Sequence, residues 1–137
     1  MKKGICLNSL PGDDLRAKFE LAKRAGFEGV EPTLTEDKEE RDRIKRAAEE
    51  AGVRVHSVMG GLLWKFPLSS LDDKVRGKGM EIVALGLEWA RELGAETLLV
   101  VPGVVDKGTP YDKAYERSLA ALKELAPIAE KAGVVIC

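Results

Sequence analysis

The sequence predicts an α/β fold with a parallel sheet, in a single domain covering residues 1–137. Four segments share one pattern, an alanine-bearing helical turn, then a glycine, then an apolar run: AKRAGFEGVE, AEEAGVRVHS, ARELGAETLLV and AEKAGVVIC. Their glycines, Gly26, Gly52, Gly94 and Gly133, suit the left-handed conformation that closes a helix. Between them apolar residues recur at helical spacing, and the short Val, Ile and Leu runs read as strands buried on both faces. Strands that alternate with helices pair in parallel.

The elements follow in order. Residues 4–8 form the first strand, and Asp13 and Asp14 stand ready to cap a helix whose apolar face is Leu15, Phe19 and Ala22. Residues 29–33 are the second strand. The helix over 37–51 is strongly charged, with a thin stripe of Ile44, Ala47 and Ala48. After a third strand at 54–58, the helix over 72–93 carries a wider face that includes Val75, Ile82, Val83, Leu87 and Trp89. A fourth strand at 97–101 leads to a helix over 110–132, with Tyr115, Leu119, Leu122 and Leu125 as its stripe. Pro127 within it is expected to kink or break it. Residues 134–137 begin a fifth strand. Two architectures fit this order, an N-terminal half of a (β/α)8 barrel and an open doubly wound sheet, and periodicity does not separate them.

Composition excludes several function classes. Lys and Arg number 22 against 23 Asp and Glu, for a formal charge of −1. Without a basic excess no nucleic-acid partner is expected. No apolar run reaches membrane-spanning length or resembles a secretory leader, so no membrane partner is expected either. Cys6 and Cys137 form neither a disulfide framework nor a CxxC pair, which suits a reducing, cytoplasmic setting.

In either architecture ligands gather beyond the C-terminal ends of the strands. That rule selects Asn8, Ser9, Glu31, His56 with Ser57, the loop MGGLLW at 59–64 and VPGVV at 101–105. His56, the single histidine, is either a ligand-contacting imidazole or a packing residue with its hydrogen bonds satisfied. Glu31 is either a substrate-orienting carboxylate or an exposed loop glutamate. Gly60-Gly61 before Trp64 reads as a flexible loop tipped by an aromatic, or as a loop whose Trp plugs the core. Pro102-Gly103 reads on spacing as a turn, with close approach of a ligand to the backbone as the other reading. No GxGxxG, phosphate-loop, HExxH or GxSxG motif occurs. The residues complete no catalytic constellation.

Taken together, AKRAGFEGVE, AGVRVHSVMGGLLWKFPLSS, LGAETLLVVPG and AEKAGVVIC resemble the sugar-phosphate isomerase/epimerase family, the xylose-isomerase-like barrels that include hexulose-phosphate isomerases and ketose 3-epimerases. The resemblance runs over the whole chain and favours the half-barrel. It implies that full-length relatives hold a divalent metal (Mn, Mg, Co or Zn) with carboxylates and a histidine, and that two glutamates move a proton through an ene-diolate. The first of those glutamates would follow the stretch that ends at Cys137, so this chain is expected to contain no catalytic residue, no metal ligand and no cofactor of its own. Glu31, His56 and Trp64 match positions that contact or cover a sugar or sugar phosphate. A DNA-repair endonuclease branch needs several histidines and does not fit.

A half-barrel leaves two strand edges unpaired and about ten inward apolar side chains without partners, if each strand contributes about two. Self-association is therefore expected, two copies meeting edge to edge as a homodimer. The other escape is a helix moved across the open face. Two rival functions remain beside the half-enzyme: a non-catalytic βα module for a small anion or protein partner, and a small enzyme with a site built across a dimer from Glu31 and His56.

Overall fold

The computed structural model describes residues 2–137. The chain runs β1 (Gly4–Cys6), α1 (Leu15–Arg24), β2 (Gly29–Glu31), α2 (Lys38–Ala51), β3 (Arg54–Val55), β4 (Ser57–Met59), α3 (Asp73–Leu93), β5 (Thr97–Leu99), α4 (Tyr111–Ala132) and β6 (Val135–Ile136). Short 3-10 turns follow β1 at Leu7–Ser9 and β4 at Gly61–Trp64.

Local chemistry sets the helix ends. Asp14, Asp37 and Asp72 each accept a backbone N–H of the first turn of α1, α2 and α3, the usual N-cap role of a short acidic side chain. Pro110 precedes α4, and no side chain caps it. At the other ends Gly26, Gly52, Gly94 and Gly133 take φ between +62° and +80°. The expected kink at Pro127 is not a break, since α4 continues through it for its whole length. Pro127 and Lys123 are both exposed, so water can satisfy the Lys123 carbonyl that lacks a donor. Leu125 and Ala129 on either side are buried and hold the two segments to the same core.

All strand pairs are parallel, in the order β1-β2-β3 and β4-β5-β6. The two sheets are one surface, because β3 and β4 are a single strand interrupted at His56. The His56 N–H donates to Val30 O at 3.3 Å, and His56 O accepts from Glu96 N–H at 3.1 Å. Each successive strand is therefore added on the same side. Right-handed crossovers then place every helix on one face, whereas a doubly wound sheet requires a reversal of strand order. Among the described residues none occurs, and no helix has moved across the other face. The fold is half of a (β/α)8 barrel.

The core lies between sheet and helices. Val30, Val55, Val58 and Leu98 point outward from the arc into it and meet Phe19, Ile44, Val83, Leu87 and Trp89, all at most 5 % exposed. The stripe expected on the fourth helix is rotated. Ala114, Ser118, Ala121, Leu125 and Ala129 face the sheet, while Tyr115 (57 % exposed) and Leu119 (38 %) face solvent. A helix with two apolar faces has no single readable stripe, and here the smaller residues won the inner face because α4 lies close to the sheet.

The inner face of the arc also differs from the expectation of about ten orphaned apolar side chains. On β1, β2 and the β3–β4 strand it carries Gly4, Cys6, Gly29, Glu31, His56 and Ser57. Apolar exposure there is at half-buried Met59 on β4, beside Leu99 (36 %) in the β4–β5 register, and at Val135 (62 %).

Candidate substrate-facing site

The inner face is built in three layers. In the middle one, Cys6 and Glu31 stand opposite each other in the β1–β2 register. The Cys6 Sγ donates to Glu31 Oε1 at 3.2 Å, and the Ser57 Oγ donates to Glu31 Oε2 at 2.5 Å. One carboxylate thus joins three adjacent strands, with a donor on each oxygen. Ser57 is buried and Glu31 half-buried. The hydrogen bond to Glu31 raises the Cys6 thiol above its ordinary value, with burial and the carboxylate's charge acting in the same direction. Such a thiol stays protonated and is a poor nucleophile.

His56 occupies the layer below, toward the N-terminal ends of the strands. Its ring lies where side chains on Gly4 and Gly29 would be: a Cβ on Gly29 would sit 2.7 Å from His56 Nδ1, and one on Gly4 less than 3.0 Å from Cε1. The two glycines are there to admit the ring. His56 Nδ1 is buried and has no hydrogen-bond partner. His56 and Ser57, although consecutive, both face inward, while Val55 and Val58 on either side of them face the core. This doubled inward pair is what splits the third strand into β3 and β4, as a β-bulge does.

The top layer is the pair Asn8–Thr33, in which Asn8 Nδ2 donates to Thr33 Oγ1 at 3.0 Å. Beyond it the Gly61–Trp64 turn projects Trp64, 66 % exposed, over the end of the strands. Trp64 does not plug the core; Leu63, fully buried, does so. Pro102-Gly103 follows β5, and the close approach there is to protein. A Cβ on Gly103 would meet Ser118 Oγ and Ser69 Cβ at 2.9 Å. Ser69 Oγ accepts from Val104 N–H at 2.9 Å, and Ser118 Oγ donates to Pro102 O at 2.6 Å. Ser69 thus fastens the β4–α3 loop to the β5–α4 loop, and Ser118 ties the latter to α4.

Of the positions read from sequence, Glu31 and Ser57 come together, His56 lies one layer beneath them and Trp64 stands at the rim. Cys6 was not read as a site residue. Its signal was the repeat GIC at 4–6 and GVE at 29–31, a glycine followed two residues later by a polar side chain on the same face. The arrangement offers a polar wall on three strands that can exchange hydrogen bonds with hydroxyl groups, facing an apolar wall on the other two. It does not fit a divalent metal. The described residues contain no group of three or more His, Cys, Asp or Glu able to hold one, and the single carboxylate of the inner wall already accepts two hydrogen bonds.

Comparison with known proteins places this geometry. The model of the xylose isomerase-like TIM barrel family matches residues 19–137. An L-ribulose-5-phosphate 3-epimerase of Escherichia coli is 30 % identical over 144 residues, an alignment covering 97 % of this chain and 51 % of the epimerase. A Salmonella paratyphi B enzyme of the same name is 31 % identical over the same shares. Among solved structures, E. coli 3-keto-D-glucoside 4-epimerase superposes with a TM-score of 0.81 at 21 % identity, over 99 % of this chain and 54 % of the other. A Methylomonas D-allulose 3-epimerase bound to D-allulose gives 0.78 at 22 % identity, over 99 % and 50 %. The chain spans about half the length of these relatives.

Proposed function

Since this chain belongs to the xylose isomerase-like TIM barrel family, we propose that it is the N-terminal half of a sugar (phosphate) isomerase/epimerase-like barrel and supplies the wall that shapes the substrate. The observation that carries this reading is the Cys6–Glu31–Ser57 cluster on the inner face, a fixed carboxylate at the strand ends in a fold whose relatives bear the names of sugar epimerases. Glu31 accepts from substrate hydroxyls through its remaining lone pairs, Trp64 covers the sugar from the rim, and His56 forms the floor beneath it. A carboxylate with two donors already in place is oriented before the substrate arrives, so its ordering costs nothing on binding.

In this reading the whole barrel acts by metal-assisted proton transfer beside a carbonyl. A bound divalent ion would supply charge stabilisation to the oxygen of that carbonyl. The residues present here do not fit such an ion, so this chain alone is inactive and no step of the reaction is assigned to it. It binds and orients. The free cysteines fit a cytoplasmic setting. Two copies associate through the exposed edges of the half-barrel.

The test uses the intact chain with L-ribulose 5-phosphate and D-allulose, each with Mg2+, in deuterium oxide for the proton exchange and in ordinary water for the protein amides. Epimerisation through an ene-diolate exchanges the carbon-bound proton, which NMR detects as lost signal. The expected result is no exchange, together with sugar-dependent shifts of the Glu31 and Ser57 amides that Glu31→Gln weakens several-fold. Exchange by the chain alone would overturn the claim of inactivity, and no amide shift with either sugar would overturn the substrate-shaping role.

A further inference from the structure

The Asn8–Thr33 pair stands apart from the cluster around Glu31 and has a different chemistry. Thr33 lies two residues beyond Glu31 and keeps a parallel bridge to Met59. At about 3.3 Å per residue its backbone is about 7 Å above that of Glu31. Asn8, brought round by the 3-10 turn after β1, donates to it. The Thr33 methyl packs toward the turn that carries Trp64, where a Cβ on Gly61 would lie 2.8 Å from Thr33 Cγ2. A β-branched side chain held at its methyl has a fixed hydroxyl. Once Asn8 has donated, Thr33 Oγ1 still has its proton to give, and Asn8 keeps Oδ1 and its second N–H.

The two levels therefore offer complementary hydrogen bonds. Glu31 accepts only and carries charge, whereas Asn8 and Thr33 donate and accept without charge. A sugar hydroxyl, which both donates and accepts, satisfies either level. A phosphate dianion has no proton for Glu31 and is repelled by its carboxylate. The surrounding charges act in the same direction. The segments that leave β1 and β2, residues 10–14 and 32–37, carry Asp13, Asp14, Glu36 and Asp37 and no Lys or Arg. Cations beside them are turned elsewhere. Arg41 donates to Thr35 O at 2.8 Å, and Lys65 lies over the Phe66 ring at 5.2 Å.

We propose that Asn8 and Thr33 are specificity-determining residues, and that with Glu31 they take an unphosphorylated, hydroxyl-bearing end of a sugar on the β1–β2 side and reject a phosphate there. This rests on the substrate-shaping role proposed above and specifies which part of the substrate the wall receives.

NMR titration of the intact chain in ordinary water, followed at the Asn8, Glu31 and Thr33 amides, tests this. The probes are D-allulose and D-allulose 1,6-bisphosphate, which has no neutral end to turn toward the wall. At low salt D-allulose is expected to bind several-fold more tightly than the bisphosphate, and Glu31→Gln, of equal size and without charge, to narrow that gap. Thr33→Val keeps the methyl and loses the hydroxyl. It and Asn8→Ala are each expected to weaken D-allulose several-fold with the circular dichroism spectrum unchanged. A bisphosphate that shifts these amides as tightly as D-allulose, or a gap that Glu31→Gln leaves intact, would overturn the rejection of phosphate but not the substrate-shaping role. D-allulose binding that is indifferent to both Thr33→Val and Asn8→Ala would remove the pair from recognition. Shifts with L-ribulose 5-phosphate but none with D-allulose would overturn this proposal alone, and silence with both sugars would overturn the substrate-shaping role as well.

Discussion

Two glycines in one turn of α3, Gly77 and Gly79, should respond with opposite sign to the same substitution. Alanine in a helix interior is favoured over glycine by about 1 kcal/mol. At Gly77 no heavy atom outside the helix lies within 4 Å of an added Cβ. Gly77→Ala is therefore expected to stabilise by about 1 kcal/mol, which for a domain of this size raises Tm by roughly 3–5 °C. At Gly79 the added Cβ would lie less than 3.0 Å from the Phe66 carbonyl oxygen and 3.1 Å from Leu68 Cδ2. The first obstacle is backbone, and the second is a fully buried side chain, so neither yields cheaply. Overpacking of this kind costs about 1–3 kcal/mol. Taking the upper end, Gly79→Ala loses about 2 kcal/mol net, with Tm falling by roughly 6–10 °C. Thermal and urea unfolding of the parent and both variants, by far-ultraviolet circular dichroism at one chain concentration, would measure the contrast. Phe66 lies two residues beyond Trp64, so this contact also seats the rim of the candidate site on α3. If Gly79→Ala were as stable as the parent or more so, the loop would not rest on the helix as described.

Further consequences can be checked alongside. Ser57→Ala removes one donor from the Glu31 carboxylate and is expected to cost about 1–2 kcal/mol, read as a lower urea midpoint. Gly4→Ala is expected to destabilise the parent but to be nearly neutral in a His56→Ala background, so a double-mutant cycle should report coupling of about 1 kcal/mol or more. Pro127→Ala restores the hydrogen bond to the Lys123 carbonyl and is expected to stabilise by about 2 kcal/mol after allowing for the freer unfolded chain. Because the folded Cys6 thiol holds its proton more tightly than the unfolded one, its contribution is complete at neutral pH. That contribution is lost as pH rises from about 8.5, the ordinary thiol range, through the raised folded value. Iodoacetamide labelling should accordingly be slower at Cys6 than at exposed Cys137, and Glu31→Gln should narrow the gap.

The helices were legible almost to the residue because both of their ends are local events. Asp37 and Asp72 before the second and third helices, and Gly52 and Gly94 after them, act on backbone groups within one turn. Strand lengths were less legible. Residues 7–9 coil into a 3-10 turn, and Thr33 keeps only an isolated bridge to Met59, because pairing ends where the neighbouring strand ends. The choice between barrel and open sheet turned on strand order, a long-range property that no local pattern encodes. At the site, Glu31 was found by its place at a strand end. Its donors were not, because Cys6 and Ser57 lie 25 and 26 residues away and meet it only through the register. The orientation of α4 was misread, since Tyr115 and Leu119 are as apolar as the residues that actually face the sheet.

The inward pair His56–Ser57 shifts the alternation of the third strand by one position between Val55 and Val58. Upstream of the pair odd-numbered residues face the core, and downstream even-numbered ones do. Deleting one residue of the pair would restore strict alternation and leave Val58 facing the helices and Met59 the arc, at the loss of either the His56 ring or the Ser57 donor. A deletion beside the pair, such as that of Val58, would instead turn Met59 toward the helices. The strand therefore has one place where its length can change, and grafting the polar wall means carrying both inward residues of that place with it.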